Sequence, residues 1–311
     1  MNVGVVLLNW NGGEFTIPCI QSLLNGSRVP EKIVVVDNGS SDGSQDEIEI
    51  LFPGVCLIKN SFNNGFAGGC NQGIEYLLAQ RVDFVWVLNN DTLVDRECLD
   101  IMLKIAVEHP SIAGFSGKIF YENPDNEVWY AGAYRHPLHL GIKHIHKNDN
   151  EKQDTEFLEV EFISGCCMFV HADMWLKHGG FIEKYIAYSE DNEWCWRLSN
   201  SNEKFLYIPK AILWHRLSSS VKKNFGKKNG SVSQRTWYLL NRNHLWTVRR
   251  HCNRKFIIAA IFFNLLIVMK KVTIFIFTMD FKTVKSYLKG SIQGLFSELP
   301  VPLKFEHHNK K

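Results

Sequence analysis

Short apolar runs alternate with helical repeats through the first 117 residues, and that alternation constrains the fold more than any other feature of the chain. The runs fall at 3–8, 33–37, 55–59, 84–88 and 112–116. Between them, Ile17, Ile20, Leu23 and Leu24 mark one helical face, Ile74, Leu77 and Leu78 a second, and Leu99, Met102, Leu103 and Ala106 a third. Strands apolar on both faces and separated by helices of this length predict βαβ units with right-handed crossovers. The expected class is α/β: a Rossmann-like, mostly parallel sheet flanked by helices.

Two of these runs end on a carboxylate. Val34-Val35-Val36-Asp37 runs into Asn38-Gly39-Ser40-Ser41-Asp42-Gly43, and Trp86-Val87-Leu88 into Asn89-Asn90-Asp91. Ligands of open α/β sheets bind at the carboxyl ends of the strands, so Asp37 and Asp91 mark a nucleotide and metal site. Each has a plainer role open to it. Asp37 suits an Asx turn, Asp42 or Ser44 a helix cap, and Asp91 a cap before a helix at 95–109. The stretch Asn60–Asn71 is glycine-rich and opens a helix, which suits a phosphate at the helix N-terminus. It matches neither a Walker loop nor GxGxxG, and a glycine-rich turn accounts for it equally.

From Tyr121 to Glu156 the pattern turns polar, with Pro124, Pro137 and histidines 136, 139, 144 and 146, and reads as a functional loop or insertion hairpin. The histidine spacing matches no supported metal-ligand set. Apolar patterning resumes at Phe162–Val170, followed by a helix at 173–178 and a turn at Gly179-Gly180. A further helix carries Trp194, Trp196 and Leu198, and a strand at 211–214 ends on His215. Glu190-Asp191 stands just ahead of the two tryptophans. Adjacent carboxylates among aromatics suggest a pocket with raised pKa values and ring faces for a sugar, against the plainer reading of a solvated turn.

The net charge of +3 makes no case for nucleic acid, but from Lys204 to Met279 there is no acidic residue. That basic stretch favours an anionic partner such as lipid headgroups. Phe256–Met269 is apolar apart from Asn264, and Lys270-Lys271 interrupts the run before Val272–Met279. Fourteen apolar residues fall short of the roughly 20 a bilayer span needs. Asn264, Lys271 and Thr278 fall on one narrow stripe, so a helix in the membrane interface is expected, with Arg249, Arg250, Arg254 and Lys255 beside it. Packing on the catalytic domain or on a second copy is the alternative, and a homo-oligomer stays open. Eight cysteines without a CxxC pair, and an N-terminus with no basic leader, point to the cytoplasm.

In order, Asn9-Trp10-Asn11-Gly12, Val35-Val36-Asp37-Asn38-Gly39-Ser40-Ser41-Asp42-Gly43, Asn63-Asn64-Gly65-Phe66-Ala67-Gly68-Gly69-Cys70-Asn71, Asn89-Asn90-Asp91 and Glu190-Asp191 resemble family 2 glycosyltransferases of the GT-A fold. The resemblance covers about 1–215: a nucleotide-sugar half at 1–117 and an acceptor half at 118–215, with 216–311 as a helical extension. The glycine loop and the Asn-Asn-Asp variant are similar to the bacterial rhamnosyltransferase-like branch, which takes dTDP-rhamnose for surface polysaccharides such as O antigen. The resemblance implies donor binding by Asn9, Asn11, Asp37, Asn63, Gly65, Gly68, Asn71 and Asn89. It makes Asp91 and His215 ligands of a divalent cation, Mg²⁺ or Mn²⁺. Asn89 stands where the family's metal motif commonly has Asp, which removes one carboxylate.

The activity implied is inverting sugar transfer from a nucleoside diphosphate sugar to a glycan or lipid-linked acceptor, at the cytoplasmic face of a bacterial inner membrane. Asp191 is then the base, Glu190 its tuning partner, and Tyr188, Trp194 and Trp196 line the acceptor site. Arg242 and Asn243 are expected near a phosphate or in the C-terminal pocket, with a plain surface position for Arg242 as the alternative. A nucleotidyltransferase would place a basic residue in its N-terminal phosphate loop, and 9–13 has none. A non-catalytic sugar-nucleotide-binding module is the other rival.

Overall fold

A computed structural model of the chain describes residues 1–122, 127–145, 157–216 and 232–306; Pro124, His146 and the basic residues of 217–231 lie outside them. The elements follow in chain order. β1 (Val3–Asn9), α1 (Gly13–Leu24), β2 (Lys32–Asp37), α2 (Ser44–Leu51), β3 (Cys56–Lys59), α3 (Gly65–Ala79) and β4 (Phe84–Leu88) form the expected alternation. β5 (Thr92–Val94), α4 (Cys98–Glu108), β6 (Gly114–Tyr121), β7 (Val128–Tyr130), β8 (Ala133–Arg135), β9 (Ile142–His144), β10 (Leu158–Val160) and β11 (Cys167–His171) come next. The rest is α5 (Ala172–His178), α6 (Glu190–Ser199), β12 (Phe205–His215), α7 (Gln234–His251), α8 (Ile257–Phe277) and α9 (Phe281–Phe296).

β3, β2, β1 and β4 lie side by side in that order and pair in parallel. The Val- and Ile-rich cores of β2, β1 and β4 are buried, as a sheet covered on both faces requires, and the edge strand β3 is half-buried. Beyond β4 the sheet turns mixed. β11 inserts between β4 and β6 and runs antiparallel to both, and β12 pairs in parallel with β6. Cross-strand aromatics fasten the insertion. Phe169 sits opposite Trp86, and its ring stacks on Phe84 at 4.6 Å between centroids. The polar stretch after Tyr121 contains the expected insertion hairpin, β8 paired with β9.

Several local expectations shift. The run at 112–116 becomes β6, which starts at Gly114 and continues to Tyr121. The helix expected from 95 begins at Cys98 behind Glu97, with β5 between it and Asp91, so Asp91 is not its cap. Ser44 is the first residue of α2, and Asp42 accepts its N–H at 3.1 Å. The cysteines are free thiols, six of them buried.

The C-terminal apolar run is one 21-residue helix, α8, long and apolar enough by itself to cross a membrane. Asn264 and Lys271 of its polar stripe face the protein, whereas Thr278 is exposed. Asn264 is buried, with its Oδ1 2.7 Å from His244 Nε2 on α7, and Lys271 Nζ lies 5.3 Å from the Trp237 ring centre. The apolar side points outward instead: Ile258 is 82% exposed and Phe277 84%. Arg249 and Arg250 also turn inward. Arg249 donates to Gly294 and Ser297 carbonyls, and Arg250 to that of Pro300. Among the flanking cations foreseen for lipid, Arg254 and Lys255 are the exposed ones.

Candidate active site

The ends of β1, β2 and β4 deliver the N-terminal part of the site. Asn9 closes β1 and is fully buried. Its Nδ2 donates to Asp37 Oδ2 at 2.7 Å and to Ser44 Oγ at 2.8 Å, while Thr16 Oγ1 donates to its Oδ1 at 2.7 Å. With its side-chain amide engaged inside the protein, Asn9 holds Asp37 in place. Asp37 is equally enclosed: Ser40 N donates to Oδ1 at 2.9 Å and Ser40 Oγ to Oδ2 at 2.6 Å. The plain turn role foreseen for Asp37 is therefore present. Asn11 is exposed with φ of 49°, and its Oδ1 accepts from Ser41 N at 2.8 Å, so it braces the outer side of the same loop.

The glycine-rich segment is the first turns of α3. Gly65 has φ of 79°, and a Cβ there would stand 2.6 Å from the carbonyl oxygen of Ile186. Gly69 lets the helix sit directly on the sheet, since a Cβ would overlap Leu8. Asn63 Oδ1 accepts from Gly65 N at 2.8 Å and holds the entry to the helix. A Cβ on Gly68 would meet only Asn64, so sheet packing does not account for that glycine. Asn71 turns into the protein rather than into the cleft lined by the strand ends. It is buried, and its amide pairs with Phe181, donating to the carbonyl at 3.0 Å and accepting from the N–H at 2.8 Å.

At the end of β4, Asp91 and His215 come together from 124 residues apart. Antiparallel pairing of β5 with β12 sets His215 opposite Thr92, and His215 Nε2 stands 3.1 Å from Asp91 Oδ1. Both side chains are mostly buried, and the other imidazole nitrogen, Nδ1, is enclosed without a hydrogen-bond partner among the described residues. A spacing of about 3 Å matches two adjacent ligands of an octahedral ion with bonds of about 2.1 Å. Among the described residues no group of three or more His, Cys, Asp or Glu side chains converges on one point. The pair therefore suits an ion that takes its remaining ligands from water and phosphate oxygens. Asn89 is half-buried, with its N–H facing the Cys166 carbonyl at 3.4 Å.

Glu190 and Asp191 open α6. Asp191 is partly exposed, and its Oδ2 accepts from Gly165 N at 3.0 Å. The turn that supplies this N–H also reaches Asp91's strand end, because the next residue, Cys166, has its Sγ 3.3 Å from Thr92 Oγ1. A Cβ on Gly165 would lie 3.7 Å from the Phe66 ring. The glycine segment, the Asp91–His215 pair and the carboxylate pair thus meet around residues 165 and 166.

Burial pushes the Glu190 carboxyl up to about 8, with the Asp191 charge adding to the effect, and Glu190 Oε2 has no hydrogen-bond partner among the described residues. Burial also raises Asp191, opposed by the N–H groups of Gly165 and Asn192. A neutral Glu190 therefore stands beside an Asp191 that ionises first.

Trp194 and Trp196 are fully enclosed and line no acceptor site. α6 turns them into the core, where Trp194 packs on Trp175 at 4.3 Å between centroids and Trp196 on Phe162 at 6.0 Å. Tyr188 is 42% exposed at the rim. Arg242 and Asn243 are buried rather than on the surface, in contact with the loop ahead of Glu190. Sequence reasoning missed Gly165, and also Glu193, a buried carboxylate that pairs with Arg197 at 3.0 Å and His251 at 3.0 Å. The i,i+4 spacing of Glu193 and Arg197 was the available signal for that pair.

A model of the family described as "Glycosyl transferase family 2" matches residues 5–174. The N-acetylglucosaminyl-diphospho-decaprenol L-rhamnosyltransferase of Mycobacterium tuberculosis is 24% identical over 273 residues, 79% of this chain and 88% of that one. The low-salt glycan biosynthesis hexosyltransferase Agl10 of Haloferax volcanii is 26% identical over 213 residues, 65% of this chain and 62% of its own. Among solved structures, S. aureus TarS 1–349 in complex with UDP-GlcNAc superposes with a TM-score of 0.57 at 14% identity, covering 82% of this chain and 68% of that one. GalNAc-T7 with UDP, GalNAc and Mn²⁺ gives 0.57 at 14% identity over 69% of this chain, which spans 43% of that structure. At these identities the structures establish a shared fold.

Proposed function

The chain belongs to glycosyl transferase family 2, and from that premise we propose that it transfers L-rhamnose from dTDP-rhamnose to a hydroxyl of a lipid-linked glycan, with inversion. The observation that carries this reading is the carboxylate pair, an ionising Asp191 held by Gly165 N–H beside a neutral Glu190, one residue along the turn from the Asp91 strand end. The M. tuberculosis relative, named for rhamnosyl transfer to a decaprenol-linked glycan, supports the sugar and the acceptor class.

Asp191 takes the proton of the acceptor hydroxyl as its oxygen attacks the anomeric carbon. The bond from that carbon to the diphosphate breaks on the opposite face, and the nucleoside diphosphate leaves. A positioned base of this kind contributes about 10²–10⁴-fold. Asp91 and His215 hold a divalent cation, which when bound neutralises charge on the departing diphosphate. The α3 N-terminus at Asn63–Gly68, with Asn89, faces the donor. Asp37 accepts an N–H of the base once Ser40 yields its place, with Asn11 bracing that loop, and Tyr188 flanks the acceptor.

The outward apolar face of α8, with Arg254, Lys255 and Lys270 exposed on or beside it, rests on the cytoplasmic leaflet where a lipid-linked acceptor resides. A panel of dTDP-rhamnose, UDP-GlcNAc, UDP-glucose and GDP-mannose tests the donor. A ligand at 100 times its Kd stabilises by about 2.7 kcal/mol, so dTDP-rhamnose should raise the melting temperature most and be hydrolysed to dTDP. Stabilisation and turnover confined to a UDP-sugar would refute the rhamnose assignment.

A further inference from the structure

The loop that leads into Glu190-Asp191 is strained. Ile186, Tyr188 and Ser189 have φ of 67°, 72° and 66°, values that L side chains rarely adopt. Ile186, β-branched, sits at φ 67°, ψ −64° at the centre of a γ-turn closed by Ala187 N donating to Tyr185 O at 2.8 Å. Strain of this kind persists only where the surroundings impose it.

One buried side chain of α7 supplies most of that hold. The two N–H groups of Asn243 Nδ2 are shared among three carbonyls, those of Tyr185 at 3.0 Å, Ala187 at 2.9 Å and Tyr188 at 2.7 Å. Its own carbonyl accepts from Arg242 Nε at 2.9 Å, which fixes the amide with its donors toward the loop. Arg242 lies over the Trp246 ring at 4.3 Å and donates to Lys184 O at 2.8 Å. The loop so held touches both halves of the site. Ile186 O accepts from Ala67 N in the first turn of α3 at 3.2 Å, and Ser189 O accepts from Glu193 N in the first turn of α6 at 2.9 Å.

We infer that Asn243, oriented by Arg242, is a positioning residue for transfer: it holds the 185–189 loop in its strained form and thereby sets Asp191 against the donor. The inference rests on Asp191 as the base. It makes α7, beyond the part of the chain matched by the family model, a working part of the active site.

The test compares the full-length wild type with Asn243→Ala, Asn243→Asp and Arg242→Lys. Readouts are hydrogen exchange at 184–191, melting temperature, and kcat and KM for hydrolysis of dTDP-rhamnose. Asn241→Ala is the control, since Asn241 is buried in the same helix but bonds Tyr287 O and Ser291 Oγ on α9. Exchange at 185–189 should rise roughly tenfold or more in the Asn243 variants. Displacing the base by about 1 Å should lower kcat about 100-fold with donor KM almost unchanged. Arg242→Lys, which loses the planar fork, should move both readouts in the same direction by less, and serves if the Asn243 variants do not fold. Asn241→Ala should lower the melting temperature and move neither. Unchanged exchange, or a kcat per folded molecule equal to wild type, would overturn the inference. If wild type hydrolyses no nucleotide sugar, the transferase reading of the site has failed, and the exchange comparison alone then judges the clamp, with unchanged protection again overturning it.

Discussion

Replacing Glu190 with Gln should remove a large pH dependence from the stability of the fold. Glu190 is 6% exposed, its Oε2 lacks a partner among the described residues, and burial, assisted by the Asp191 charge, lifts its carboxyl from 4.5 to about 8. A carboxyl raised on folding favours the neutral form in the native state. Its contribution is therefore fully present below the unfolded value and lost as pH rises through the folded one. The interval between the two values is worth about 5 kcal/mol in full, and about 4 kcal/mol of it falls between about pH 5 and about pH 9. The neutral glutamine has no such term. Whatever it costs to enclose its amide is the same at both pH values and cancels in the comparison. Urea unfolding of both proteins at the two pH values, extrapolated to water, gives the double difference directly. Wild type should lose about 4 kcal/mol more than Glu190→Gln over that interval. Equal losses would refute the argument that burial keeps Glu190 neutral beside the base.

Three further outcomes are expected. Asp191→Asn should cut transfer by about 10²–10⁴-fold while leaving donor affinity nearly intact, measured by turnover and by calorimetric titration with donor; retention of more than a few per cent of activity would exclude Asp191 as the base. Asp91→Ala should weaken donor binding in Mn²⁺ but not in chelator, and a wild-type donor affinity indifferent to chelator would remove the metal from the site. The double variant Ile258→Asp, Phe262→Asp on the exposed face of α8 should abolish flotation with vesicles rich in anionic lipid while the melting temperature holds. Flotation equal to wild type would mean that this face does not meet the membrane.

Much of the N-terminal half was legible because its signals are local. Runs of Val and Ile bounded by Asp-Asn-Gly, with helical periodicity between them, specify strand and crossover wherever the partners lie. The carboxylates of Asp37 and Asp91 sit at their strand ends for the same reason. The pairing of β11 between β4 and β6 was not legible, since a five-residue apolar run carries no record of its neighbours or direction. Trp194 and Trp196 misled because an aromatic beside two acids suits a sugar pocket and a core equally, and only the rotation of α6 separates the two. Asn9 and Asn71 sit in the right segments, but their hydrogen bonds are made inside the protein.

The sequence by itself determined the parallel core, the sheet edge that carries the candidate site, and the residue types available there, because all three follow from local periodicity and strand termination. The tertiary structure alone decided that His215 meets Asp91 at 3.1 Å, that Gly165 N–H holds Asp191, and that Asn243 grips the loop ahead of it. It also decided which side of α8 faces out. These contacts join segments 26 to 124 residues apart, and their geometry comes from strand register and helix rotation. Both are set by how the whole core packs, which no stretch of the chain encodes alone.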